Sequence, residues 1–169
     1  MSKNIFYLNC FSKGQKYSIL QIADHFWSLL NILSKVDVTF RTTTIEKEHQ
    51  ASVRIEIDEN KKAATIHQIA TTLLSYHKKD IRKYENDTNP TIDYSRDFGF
   101  SFVATFYKQG KKCFYLSVRM GTDRTDSIYL DFHDRSIEYD IDWYLQVLRG
   151  LVRNTDVYWG GTQGEFIHK

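Results

Sequence analysis

The side chains that could do chemistry in this chain of 169 residues are scattered and do not form a recognisable catalytic motif. None of the six histidines is followed by another at the spacing that lets one helix hold a metal ion. The sequence contains no Walker loop, dinucleotide fingerprint, HExxH, CxxC or GxSxG pattern. We therefore predict no catalytic residues, no metal site and no cofactor.

Three weaker patterns leave chemical alternatives open. Asp37 and the E-x-K pair of 59–61 match the metal-binding acids of some nucleases, but this E-x-K follows a strand, so a solvated turn is favoured. The glycine-rich tail 160–164 could cradle a phosphate, but no helix follows it, so a simple turn is favoured. A dispersed enzyme site would be centred on His133, Asp131 and Asp134.

A basic run on a predicted helix raises the possibility of nucleic-acid binding. Lys78, Lys79, Arg82 and Lys83 follow one another closely, with tyrosines nearby. The net charge of +2 and the pI of about 8.4 are too mild to argue for nucleic acid by themselves. A solvated helix face is favoured, and a nucleic-acid-binding domain using 78–83 remains the alternative function.

The acids are concentrated in one window, and this suggests a surface for a basic partner. Residues 123–142 carry seven acids and two bases, so that window is at −5 in a chain that is otherwise at +7. Helix-dipole and turn preferences explain part of this density. Tyrosines among the acids would supply aromatic anchors. The candidate contact residues are Asp123, Asp126, Tyr129, Asp131, Asp134, Glu138, Tyr139 and Asp142.

Apolar residues at steps of three and four predict helices at 19–35, 65–84 and 136–153. The first should begin with a capping box, since Ser18 precedes Gln21 by three residues. The apolar stripes of these helices should form the core. Its predicted buried members are Phe26, Leu30, Leu33, Leu73, Leu145 and Leu148.

Alternating and aromatic-rich runs predict strands at 4–11, 51–58, 98–107, 113–120 and 127–134. The last three follow one another through short turns, which predicts a meander near 98–133. The tail could add a short strand pair around a turn at Gly160-Gly161. The predicted fold is α+β, an antiparallel sheet with about three helices packed on one face.

Length and composition indicate one globular domain over 1–169, because a chain of 20.0 kDa buries about 70% of its surface. Cys10 and Cys113 are too few for a disulfide framework and should be buried thiols. The N-terminus does not match a signal peptide, and the uncharged apolar stretch 26–34 is too short to cross a membrane. We therefore expect a cytoplasmic protein.

Several spacings resemble those of a known family. The first helix ends with Leu30-x-x-Leu33-x-x-x-Asp37-x-x-Phe40, a strand begins with 98–100, and a Trp-containing tail follows the last helix at 156–159. This pattern resembles bacterial immunity proteins of polymorphic toxin systems, nearest to the immunity protein 52 family. Arg41 and Thr42 stand where that family usually has an aromatic residue, and the tail lacks its proline.

The resemblance implies a function as a binding protein. Such immunity proteins bind and neutralise a cognate toxin, often a nuclease, delivered by a type VI secretion or contact-dependent inhibition system, and they perform no catalysis. The expected partner is that toxin protein, bound so that its active or substrate-binding surface is occluded. We expect no membrane partner, and the sequence leaves the oligomeric state open.

Overall fold

The computed structural model describes residues 7–14, 17–46, 51–78, 100–121, 125–132, 141–153 and 157–163. Within them, three long helices accompany seven strands. The helices are α1 (Ile19–Val36), α2 (Lys62–Tyr76) and α3 (Ile141–Arg153). The strands are β1 (Tyr7–Lys13), β2 (Thr42–Glu46), β3 (Val53–Glu56), β4 (Phe100–Lys108), β5 (Lys111–Met120), β6 (Thr125–Phe132) and β7 (Val157–Gln163).

The strands form one sheet in the order β3-β2-β4-β5-β6-β1-β7, and all neighbouring pairs are antiparallel. The predicted α+β class and the β4-β5-β6 meander are confirmed.

The predicted turn at Gly160-Gly161 is wrong, because both glycines lie within β7, where Gly160 is opposite Cys10 of β1. The backbone groups of a glycine pair can join a sheet edge as readily as they can form a turn.

One face of the sheet is apolar across its five inner strands. Ile45, Ala104, Leu116, Leu130 and Leu8 are successive cross-strand partners on five adjacent strands, and each is at most 1% exposed. Side chains alternate between the two faces of a strand, so this row also places the neighbouring residues on the other face. The helices cover the apolar face, and the core lies between the two layers.

Helix α1 is the centre of the helical layer. Its capping box forms as predicted, with the Ser18 N–H donating to Gln21 Oε1 (2.8 Å) and the Gln21 N–H to Ser18 Oγ (3.3 Å). The helix packs against both α2 and α3. Phe26, Leu30 and Leu33 are fully buried, as predicted. Burial on several sides explains why the apolar stripe of this helix is so wide.

Helix α2 differs from the predicted range 65–84 at both ends. It begins at Lys62, after a 3₁₀ turn (Glu59–Lys61) that Asp58 caps by accepting the Asn60 N–H at 3.0 Å. It ends at Tyr76, where the His77 N–H still bonds to the Leu73 carbonyl, and residues 79–84 of the predicted range lie outside the described residues. Leu73 is buried, as predicted. Of the basic run, only Lys78 lies within the described residues.

Helix α3 presents a different side to the core from the one predicted. Leu145 is 41% exposed and Leu148 is only half-buried, whereas Val147 and Leu151 are fully buried. Gly150 explains the rotation: a Cβ there would lie 3.2 Å from both Ile32 Cγ2 and Leu33 Cδ2. The helix therefore makes its closest approach to α1 at Gly150 and not at Leu145 or Leu148. Residues 136–140 of the predicted helix fall outside the described residues.

A junction that the sequence analysis did not predict follows α1. Asp37 caps a 3₁₀ turn (Val38–Arg41) by accepting the Thr39 N–H at 2.8 Å, and its other oxygen accepts the Trp143 indole N–H at 3.2 Å. Phe40 in this turn stacks on Phe114, with ring centroids 5.2 Å apart. Trp143 completes the stack, 5.7 Å from Phe114. The turn also leads directly into β2, a strand missed in the sequence.

The core predicts different outcomes for two leucine truncations. Leu30→Ala should lower the free energy of unfolding by about 2–5 kcal/mol, because it opens a cavity in a fully buried site. Leu145→Ala should change it by less than about 0.5 kcal/mol, because that side chain is exposed. Urea melts of both variants measure the difference. Equal losses would mean that α3 packs through Leu145 after all.

The Asp37–Trp143 contact predicts a measurable coupling. In a double-mutant cycle of Asp37→Ala and Trp143→Phe, we expect an interaction free energy of about 0.5–3 kcal/mol, since the bond joins a carboxylate to an indole N–H. The cycle of Asp58→Ala with Trp143→Phe is the control, because Asp58 caps a different turn. Coupling there should be below about 0.5 kcal/mol. Coupling of the same size in both cycles would contradict a specific Asp37–Trp143 interaction.

Candidate functional site

The face of the sheet opposite the core carries a cluster of tyrosines around one carboxylate. Asp131 of β6 is directly opposite Tyr115 of β5 on one side and Tyr7 of β1 on the other. Tyr129, two residues before Asp131, shares the same face. All four side chains are half-buried. We call Tyr7, Tyr115, Tyr129 and Asp131 the tyrosine face.

The three described helices leave this face open. Their ring contacts with the sheet, such as Phe26 to Phe102 (4.8 Å between centroids) and Trp143 to Phe114, lie on the core side. Within the described part of the chain, the tyrosine face is carried by strands and is not lined by a helix. Half-buried aromatic side chains on a sheet face suit contact with another macromolecule.

The side chains of the tyrosine face hold one another in place. The Tyr115 hydroxyl donates to Asp131 Oδ2 at 2.5 Å. The rings of Tyr7 and Tyr129 are in contact, with centroids 5.1 Å apart and planes tilted by 33°. Side chains with few rotatable bonds that are already in contact have little conformational freedom left to lose on binding.

Two of the phenols in the cluster have a raised pKa. The hydrogen bond to Asp131 raises the pKa of Tyr115 to about 12, with burial and the Asp131 charge adding to the effect. Burial, together with the Asp131 charge and Tyr7, also raises the pKa of Tyr129. At neutral pH the face therefore presents aromatic rings with O–H donors next to a single acidic group.

The structure divides the predicted contact residues into separate groups. Tyr129 and Asp131 come together on the tyrosine face. Asp142 is exposed in the first turn of α3, in the helical layer. Asp126 is only 4% exposed and shares the core face with Ile128 and Leu130, so the expectation of an exposed acid is wrong there. The other predicted contact residues, Asp123, Asp134, Glu138 and Tyr139, lie outside the described residues.

Two members of the tyrosine face were missed in the sequence. Tyr7 and Tyr115 lie far from the acidic window along the chain and reach Asp131 only through strand pairing. The available signal was the alternation of Tyr115 within its strand, which separates it from the buried Phe114 and Leu116. The predicted meander already pairs the strands of Tyr115 and Asp131, but alternation does not fix the register that places them opposite each other.

The possible nuclease residues have structural partners. Asp37 holds the junction after α1, as described above. Glu59 Oε1 accepts from Asn31 Nδ2 at 3.3 Å and lies 3.7 Å from Lys35 Nζ. Lys61 Nζ pairs with Asp58 at 3.8 Å. These contacts fit the favoured interpretation of 59–61 as a solvated turn. Of the alternative enzyme site, His133 and Asp134 lie outside the described residues.

Both cysteines are buried free thiols, as predicted. Burial raises the pKa of Cys10 and of Cys113 to about 11, so neither ionises readily at neutral pH.

Among the described residues, no cluster of three His, Cys, Asp or Glu side chains is arranged to hold a metal ion. No helix in the described part of the chain is long and apolar enough to cross a membrane.

Comparison with known proteins finds one likeness, and it concerns the fold. No protein-family model matches the chain, so the resemblance to the immunity protein 52 family has no support from that comparison. No curated protein matches it in sequence. A solved Pseudomonas aeruginosa protein of the type VI secretion system (T6SS) superposes on 95% of this chain with a TM-score of 0.50 and 9% identity. The chain spans 42% of that protein's length.

The Tyr115–Asp131 hydrogen bond predicts a pH-dependent property. In ultraviolet or NMR titrations Tyr115 should ionise near pH 12, and Asp131→Asn should bring its pKa back toward 10, the ordinary value. The folded pKa is raised, so the associated stability should be present below about pH 10 and be lost as the pH rises toward 12. Tyr115→Phe identifies the signal. An unchanged pKa in Asp131→Asn would show that Asp131 is not the cause.

Proposed function

We propose that this chain is a binding protein that neutralises a bacterial toxin, and that the tyrosine face makes the contact. The observation that carries the proposal is the cluster itself: three half-buried tyrosines around Asp131 on a sheet face that the described helices leave open. Tyrosine is among the residues that most often dominate the binding energy of protein interfaces.

The chemistry of the face specifies the kind of partner. Its rings suit an apolar or cationic side chain, and the Tyr129 hydroxyl can donate a hydrogen bond, whereas Tyr115 already donates to Asp131. Asp131 adds a negative charge that favours a basic partner and speeds its encounter. A nuclease effector, which must attract nucleic-acid phosphates, has a basic surface of this kind. Occlusion of that surface needs no catalytic group in the inhibitor.

The secretion context is part of the same proposal. The fold likeness is to a protein described only as belonging to the T6SS, and 9% identity extends no further than the fold. Together with the immunity-like spacings around Asp37 and Phe40, it supports a role against an effector delivered by that system. We assign the chain to the general class of cytoplasmic immunity proteins and not to one family.

The proposal predicts which surface variants lose protection. With the toxin encoded beside this chain's gene, Tyr129→Ala should weaken binding by about tenfold or more, the loss typical of an aromatic anchor. Asp131→Lys should slow association, and more strongly at low salt, because charge steering is screened within about 8–10 Å at physiological ionic strength. Binding kinetics across a salt series and growth of toxin-expressing cells measure the two effects.

The matched control is Asp142→Lys, the same change of charge in the helical layer. It should leave affinity and protection near those of the unmodified chain. Urea melts of each variant separate lost binding from lost folding. Protection that survives Tyr129→Ala and Asp131→Lys but fails in Asp142→Lys would place the contact on α3 and refute the tyrosine face.

A further inference from the structure

A small pocket lies beside the tyrosine face, on the same side of the sheet. It is bounded by β2, β4 and β5 and encloses about 290 Å³. That volume is at the lower end of sites that hold small molecules, so it suits a single side chain. We call it the central pocket. Its lining consists of Glu46, Val103, Thr105, Lys112, Phe114 and Tyr115.

The floor of the central pocket comes from β4 and is apolar. Ala104 is fully buried in the core, so its neighbours Val103 and Thr105 point to the opposite face. Val103 offers only methyl groups, and Thr105 is 3% exposed, so its hydroxyl adds little polar surface. Thr105 is paired with Tyr115 of β5, which forms one wall.

A β-bulge in β5 positions the opposite wall. Phe114 is opposite Phe106 of β4. Lys112 is opposite the next residue, Tyr107, so the ladder skips Cys113. In a regular strand Lys112 would share the core face with Phe114, two residues on. The bulge turns Lys112 to the other side of the sheet, where it lines the central pocket.

The polar groups at the rim of the central pocket bind one another. Glu46 accepts a hydrogen bond from the Tyr107 hydroxyl at 3.1 Å and lies 3.4 Å from Lys112 Nζ. The Tyr115 hydroxyl donates to Asp131. A charged side chain entering the pocket would meet one like and one opposite charge, so neither sign is favoured. A neutral polar group would lose its water next to groups that already bind one another.

We propose that the central pocket receives one apolar side chain of the toxin, which anchors the contact made by the tyrosine face. This inference rests on the proposed function, since it specifies the chemistry of the same partner. Tyr115 belongs both to the tyrosine face and to the pocket wall, so one partner can cover both. Binding energy concentrates where an anchor fills a pocket that surrounding contacts shield from water, and Glu46 and Lys112 provide such a rim.

The test is NMR of the whole chain, with isotope-labelled valine methyl groups, in complex with the unlabelled toxin encoded beside this chain's gene. We expect nuclear Overhauser effects to the Val103 methyl groups from methyl or aromatic-ring protons of one toxin residue. Effects only from lysine or arginine methylene protons would overturn the proposal, because the occupant would then be cationic. The Tyr129 ring reports on the tyrosine face in the same complex.

Filling the central pocket tests the same point by affinity. Val103→Phe places a ring in the pocket and should weaken toxin binding by about tenfold or more. Ser101→Phe is the matched control, because it adds the same ring to the same strand and face at an exposed position outside the pocket. It should change the affinity by less than about threefold. Urea melts check that both variants fold.

The outcomes separate this inference from the proposed function. Equal losses in Val103→Phe and Ser101→Phe would mean that any added ring blocks the approach of the toxin, which contradicts insertion into the pocket. Tyr129 signals that respond to the toxin while the Val103 methyl groups do not would overturn the pocket and leave the tyrosine face in place. If neither responds, or if no complex forms, both proposals fail.

Discussion

The junction after α1 is the contact on which the arrangement of the other elements depends. Asp37 uses one carboxylate oxygen to cap the 3₁₀ turn and the other to hold the Trp143 indole of α3. Phe40, three residues on, stacks on Phe114 of the sheet, and Trp143 stacks on the same ring. One short segment thus sets the direction in which β2 leaves α1 and the position of α3. Leu30, Leu33, Asp37 and Phe40, which carry the family resemblance, all have structural roles.

The sheet has a core face and an opposite face that the described helices do not cover. The core face is apolar from β1 to β2 and is covered by the helical layer. The opposite face differs along its width, with aromatic rings and an acid on β1, β5 and β6, and threonines with charges of both signs on β2, β3 and β4. Exposed side chains on a rigid sheet can diverge without disturbing the core, so one fold can serve different partners.

Side-chain periodicity predicted the elements better than it predicted their contacts. The stripe on α3 identified a helix and correctly placed Leu151 inward, but Leu145 and Leu148 were also expected in the core, and Val147 lies there instead. A helix with apolar residues on more than one side can pack in several rotational orientations about its axis. Here the close contact of Gly150 with α1 fixes the orientation. Strand β2 was missed for a related reason. Its run of three threonines looks polar, although Thr43 is buried with its hydroxyl bonded to the Thr105 carbonyl.

The sequence by itself determined the α+β class, the meander, the capping box of α1 and the presence of Tyr129 and Asp131 in one acidic, aromatic stretch. These features are local, because each depends on residues a few positions apart. Only the tertiary structure decided that Tyr7 and Tyr115 flank Asp131, that Asp126 points into the core, and that Glu46 and Lys112 line one pocket. Strand order and register bring these residues together. They depend on packing over the whole chain, which no local pattern encodes.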